Sequence, residues 1–202
     1  MSRHPGNAFL CLTLALSAGT IAGCSQGTPG KEYFILEASR PSGVVQTPSD
    51  ATLEVHLLNV DTAFASKNLV YRLGEFQYET DYYRQFLVAP GQMLTEKTRH
   101  WLADSGLFKQ VLPPSSQITP TYSLQGIVTA LYGDFTNESA PVAAMKIRYF
   151  LVRHGNDEGA IVFSQAYRVA QPISTRTAQA LIEAFSKDLT DILTRLEDDL
   201  KK

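Results

Sequence analysis

The chain has 202 residues, 44% of them hydrophobic, with 18 basic and 20 acidic side chains and two cysteines. Nearly balanced charge without a basic run excludes the electrostatic footprint of a nucleic-acid binder, and the apolar content with no acidic tract excludes a disordered chain. The length suits one domain with a sizeable core.

The first 23 residues read as a secretory leader. Arg3 and His4 give a short basic start, Phe9 to Leu16 form an apolar run broken only by Thr13, and Ser17 to Gly23 are mostly small. The run is too short for a spanning helix, which needs about 20 apolar residues. Ile21-Ala22-Gly23-Cys24 resembles a lipobox, an aliphatic residue and two small ones before a cysteine. The pattern predicts cleavage between Gly23 and Cys24, a thioether-linked diacylglycerol on the Cys24 thiol, and a further acyl chain on its freed amine. One chain holds a protein only marginally, whereas two or three make a lasting anchor. Cys11 leaves with the leader and Cys24 is acylated, so no thiol remains for a disulfide, a zinc site or a nucleophile. Residues 24–32 form the lipidated N-terminus and a Gly/Pro linker, of which the eight residues from Ser25 to Glu32 reach at most about 25 Å. The domain beyond them stays close to a membrane. Ser25 stands where an Asp commonly signals inner-membrane retention, which favours the outer membrane.

Residues 33–202 read as one domain. Tyr33–Glu37 predicts a first strand. Thr52–Val60 alternates, with Leu53, Val55 and Leu57 on one face. Asn68–Arg72 and Glu75–Thr80 predict a hairpin around Leu73-Gly74. Pro90 opens a helix whose apolar face is Leu94, Thr98, Trp101, Leu102 and Ser105, with Gly106 as its cap. Phe108–Leu112 is a strand. Tyr122–Phe135 is a long one, with Leu124, Gly126, Val128, Ala130 and Tyr132 on one side and Gly126 marking a bend or a close neighbour. Val142–Arg153 and Ile161–Val169 form a second hairpin around 154–159. The last helix, capped by Ser174, repeats Ala178, Leu181, Ile182, Phe185, Leu189, Ile192, Leu193, Leu196 and Leu200 at spacings of three and four. The fold expected is α/β of the α+β type. It is a mixed, largely antiparallel sheet with two helices packed on one face, and the other face open or met by a partner.

Several segments together are similar to the ABC-type transport auxiliary lipoproteins: Tyr33-Phe-Ile-Leu, Leu69-Val-Tyr-Arg72, Tyr83 through Pro90 into Trp101-Leu-Ala-Asp-Ser-Gly-Leu-Phe108, and Leu124-Gln-Gly-Ile-Val128 with Asp134, all after a lipobox. The resemblance implies a non-enzymatic, outer-membrane lipoprotein with a periplasm-facing domain. It would be an accessory to an MCE-domain protein and ABC transporter subunits that move lipids between two membranes. It also leaves a homo-oligomer open. The alternative is a structural lipoprotein linking the outer membrane to the cell wall or to another envelope complex.

Candidate chemistry is sparse. His56, His100 and His154 are scattered, with no metal-ligand spacing. No nucleophile elbow is present, Asp104-Ser105-Gly106 reads as a helix end, and Asn156-Asp-Glu-Gly159 reads as a turn. No cofactor is expected. The cluster Phe76, Tyr78, Tyr82, Tyr83 and Phe86 is the one group of interest. Tyr82 and Tyr83 are adjacent and point to different faces, and Tyr is favoured where one end is apolar and one wet. Tyr78, Tyr82, Tyr83 and Phe86 are therefore the candidate partner-binding residues.

Overall fold

The structure is a computed structural model that describes residues 30–41, 43, 49–114, 116–155 and 159–202. Gly23, Cys24 and Ser25 lie outside the described residues, as do 156–158 of the second hairpin turn.

The organising element is β7 (Tyr122–Asp134). On one side it pairs along its whole length with β8 (Val142–Arg153), which pairs in turn with β9 (Ala160–Pro172), both ladders antiparallel. On its other side three short strands follow one another along it, all parallel. These are β2 (Ser49–Val55), β3 (Asn59–Val60) and β4 (Asn68–Arg72). β5 (Tyr78–Phe86) lies antiparallel to β4, and β1 (Glu32–Phe34) adds a parallel edge to β5. The remaining strand, β6 (Phe108–Leu112), pairs parallel with β2. The sheet is mixed, and its two longest ladders are antiparallel.

Helix α1 (Pro90–Ser105) packs over β6, β2 and β3, and α2 (Ala178–Leu200) over β8 and β9. Both feed one core on the same face of the sheet, where Leu94, Trp101 and Leu102 of α1 and Leu181, Phe185, Leu189 and Leu193 of α2 meet Met145, Ile147 and Tyr149 of β8. Pro90 sits at the start of α1, and Gly106 closes it with φ +69°, a left-handed cap that a side chain disfavours. Ser105 Oγ donates to the Leu102 carbonyl and accepts the Leu107 N–H, so Asp104-Ser105-Gly106 is a helix end.

The expected elements are present, with shifted bounds. β1 ends at Phe34, because Leu36 leaves the ladder to bury in the core. The run from Thr52 to Val60 breaks after Val55. Leu58, not Leu57, enters the core, its N–H bonded to Thr95 Oγ1 at 2.9 Å, while Leu57 is left 56% exposed. The first hairpin turns at Leu73–Gln77, and its second arm runs on to Phe86 because β1 pairs with it there. Within β7 a bulge at Thr129 turns the strand over. Val128 pairs with Ile147 but Ala130 pairs with Lys146, so Leu131 replaces Ala130 and Tyr132 on the core side. α2 starts three residues later than the Ser174 cap predicts. The Thr177 side chain accepts the Ala180 N–H at 3.2 Å and does the capping.

Candidate functional site

The four candidate residues separate into three places. Phe86 is in the core, 2% exposed, its ring 6.4 Å from that of Phe185, which removes it from any partner surface. Its position explains this. It is the last residue of β5, paired with Phe34 of β1, and its side chain falls on the helix-covered face.

Tyr78 lies on the opposite face. A 3-10 turn, Thr62–Phe64, folds over that face, so that Phe64, Tyr132 and Tyr78 form a trio with ring centroids 5.6 to 6.4 Å apart. Tyr78 keeps about half its surface exposed. Next to this trio the helix-free face carries Lys146, Arg148 and Arg168. Lys146 and Arg168 are directly opposite each other in the β8–β9 ladder, and Arg148 is two residues along. Like charges so placed repel, and none of the three is in an ion pair among the described residues.

Tyr82 and Tyr83 sit on an irregular protrusion of β5. Between the pairs Asn68–Gln85 and Val70–Thr80, β4 advances two residues while β5 advances five, so the stretch 81–84 loops out of the ladder. Asp81 holds the loop in shape. One carboxylate oxygen accepts the N–H groups of Tyr83 and Arg84 at 2.9 and 3.0 Å, and the other accepts the Tyr71 hydroxyl at 3.0 Å and the Arg84 guanidinium at 3.4 Å. Burial works to raise the Asp81 pKa, but the donors from Arg84, Tyr71 and Tyr83 outweigh it and keep the carboxylate below its usual range. Burial, with Asp81 beside it, pushes the Tyr71 phenol up. Gln85 Nε2 donates to the Tyr82 carbonyl at 2.9 Å and pins the far side. The two tyrosine rings therefore stand out from the edge, in edge-on contact at 5.2 Å and 62% and 39% exposed. The Lys31 ammonium lies 4.3 Å over the Tyr82 ring.

Beside this loop, a groove of about 780 Å³ runs between the β1–β5 edge and the start of α2, lined by Tyr33, Tyr71, Asp81, Arg84, Arg176 and Thr177. Arg84 is engaged by Asp81 and by Glu32 at 3.3 Å, and Arg176 by Glu138 at 3.7 Å. The three histidines lie apart. His56 contacts Glu54 at 3.3 Å, His100 contacts Glu96 at 3.7 Å, and His154 meets Ser123 Oγ at 3.0 Å. Among the described residues no group of three His, Cys, Asp or Glu could hold a metal, and no helix is long and apolar enough to cross a membrane.

Sequence reasoning missed two buried acids on α2. Glu197 accepts two hydrogen bonds from the Arg40 guanidinium at 2.8 and 2.9 Å and one from the Trp101 indole at 2.8 Å. Asp188 is fully buried, and neither of its oxygens has a hydrogen-bond partner among the described residues. Burial first, and Asp191 second, raise the Asp188 pKa to about 8, and the Gln171 backbone N–H nearby offsets this only in part. Both acids fall on the stripe that carries Phe185, Leu189 and Leu193, and that placement was the available signal.

No curated protein matches the sequence. Among solved structures the fold is similar to protein XCC0632 from Xanthomonas campestris, with TM-score 0.72 and 19% identity over 82% of this chain and 92% of that one. It is also similar to an uncharacterized protein, with TM-score 0.66 and 13% identity over 85% and 99%. Hypothetical protein CT253 from Chlamydia trachomatis aligns with TM-score 0.51 and 7% identity over 75% and 98%. At these identities the likeness is one of fold. The model of one family matches residues 34–196, nearly the whole described domain, and the chain belongs to that family, the ABC-type transport auxiliary lipoprotein component.

Proposed function

We propose that this protein is a non-enzymatic outer-membrane lipoprotein, held by acyl chains on Cys24, that serves as the accessory component of an ABC/MCE-type intermembrane lipid transport system. Its partners are an MCE-domain protein and the ABC transporter subunits. The observation that carries the reading is the one-sided architecture of a domain in this family. Both helices cover the same face of the sheet, and the other face keeps Tyr78 half exposed beside Lys146, Arg148 and Arg168. A short tether holds such a domain near one membrane, where a bare sheet face is available to a subunit reaching across from the other. Interface hot spots are commonly Tyr and Arg, and like charges gathered on one face attract an oppositely charged patch.

The test is crosslinking from intact membranes with a photoreactive residue at Ala166, opposite Arg148 in the β8–β9 ladder. Recovery of an MCE-domain protein, lost when Arg148 and Arg168 are both changed to Glu, supports the reading. Recovery of cell-wall components alone would favour a structural lipoprotein.

A further inference from the structure

The tether end of the domain carries exposed aromatic side chains and a lysine. β1 runs parallel to β5 and pairs with its last three residues, so the chain enters β1 beside the 81–84 loop, from the direction in which the hairpin tip lies. Lys31 precedes β1 directly, with its ammonium on the Tyr82 ring. Phe76 is at the hairpin tip and is 89% exposed. The 81–84 loop adds Tyr82 and Tyr83 to the same end. Cys24 is seven residues before Lys31, a span of at most about 25 Å.

We infer that Lys31, Phe76, Tyr82 and Tyr83 form a contact with the headgroup region of the bilayer that holds the acyl chains, setting the domain's orientation on the membrane. This rests on the lipid-anchor reading of Cys24. The chemistry fits that occupant. Tyrosine is enriched at the membrane–water interface, where its ring is in apolar surroundings and its hydroxyl is wet. A lysine there lays its methylenes along the apolar surface and keeps its ammonium among the phosphates. A single Phe at a protruding tip can reach the acyl boundary ahead of the rest of the domain. The contact can be weak, because a short tether keeps the local concentration of lipid high. Tyr78, two residues from Phe76, then stands at the membrane end of the helix-free face, and Lys146, Arg148 and Arg168, further along it, are the part open to a protein from the opposite membrane.

The experiment uses the full lipidated protein in vesicles of phosphatidylethanolamine and phosphatidylglycerol, part of the lipid carrying brominated acyl chains. Thioether formation blocks Cys24, so one engineered thiol takes the label. An environment-sensitive fluorophore is placed at Gln77→Cys, next to Phe76, or at Ser164→Cys on exposed β9. The expected result is loss of emission to brominated lipid at position 77 and none at 164. Adding Tyr82→Ala and Tyr83→Ala should restore much of the emission at 77. Equal quenching at both positions, no quenching at 77, or quenching at 77 that is indifferent to the tyrosines would overturn the membrane contact while mass spectrometry shows Cys24 acylated. An unacylated Cys24 in the same preparation would instead defeat the anchor reading, and this inference with it.

Discussion

Trp101 of α1 donates its indole N–H to the carboxylate of Glu197 in α2 at 2.8 Å, and Arg40, from the segment after β1, closes on the same carboxylate from the other side. Three segments distant in sequence are joined at one buried charge. The Arg40 hydrogen bonds, helped by Lys201, hold the Glu197 pKa down to about 2 despite burial. Glu197→Ala strands the Arg40 guanidinium and should destabilise the fold by about 3 kcal/mol, the usual consequence of breaking a buried pair from one side. A folded-state pKa below the unfolded value means stability that is present above about pH 4.5 and lost as pH falls toward 2. Denaturant melts from pH 6 to 2 should show that loss in the wild type and a flatter profile in Glu197→Gln.

Asp188 has the opposite sign. Its folded pKa is raised to about 8, so its neutral form contributes fully below about pH 3.8, and that contribution is lost as pH rises through 8. Asp188→Asn should be nearly neutral at pH 4 and stabilising at pH 8.5. Asp188→Leu should also stabilise at pH 8.5, because it removes the cost of a buried charge. A variant less stable than wild type at pH 8.5 would mean that the carboxylate has a partner.

A Cβ on Gly126 would lie 2.9 Å from Leu58 Cγ, too close for either to stay put. Gly126→Ala should cost about 1–3 kcal/mol through overpacking. In a Leu58→Ala background the added methyl has room, so the double mutant should cost less than the sum of the two single substitutions in a double-mutant cycle of thermal melts.

Phe86→Ala should cost about 3–5 kcal/mol as a core truncation. Tyr82→Ala and Tyr83→Ala should each stay within about 0.5 kcal/mol of wild type. Unfolding curves of the three variants distinguish a core aromatic from two surface ones that are adjacent in sequence to each other and close to it.

Ser25→Asp should move the protein to the inner membrane and impair the transport pathway, if sorting follows the residue after the lipidated cysteine. Density-gradient fractionation checks this, and an unchanged distribution would count against outer-membrane residence.

Much of the fold was legible in the sequence because its signals are local. The stripe of α2, Pro90 and Gly106 around α1, and the long alternating strands each follow from the chemistry of neighbouring residues. What was not legible depends on pairing. The bulge at Thr129 changes which side of β7 faces the core, and only the register with β8 reveals it. The cationic stripe of the helix-free face joins residues on two strands, so no basic run exists to notice. At the candidate site, the aromatic cluster from Phe76 to Phe86 was visible as composition. Its division into core, open face and protruding loop depends on the five-against-two advance of β5 over β4, which Asp81 stabilises from within. Asp188 and Glu197 could have been found, since an acid on an otherwise apolar stripe is itself a signal.

The position of β7 also sets the order in which the molecule can be made. β2, β3 and β4 all lean on a strand some fifty or more residues later in the chain, and such long-range parallel pairings form slowly. β7, β8 and β9 are consecutive and pair antiparallel with one another, so their ladders require no strand from upstream. A secreted chain emerges amino end first. On export in that order the early strands would stand with bare edges, of the kind that invite misassembly, until β7 follows. In a chain that is made or exported amino end first, β2, β3 and β4 gain their partner only when the C-terminal third has followed them.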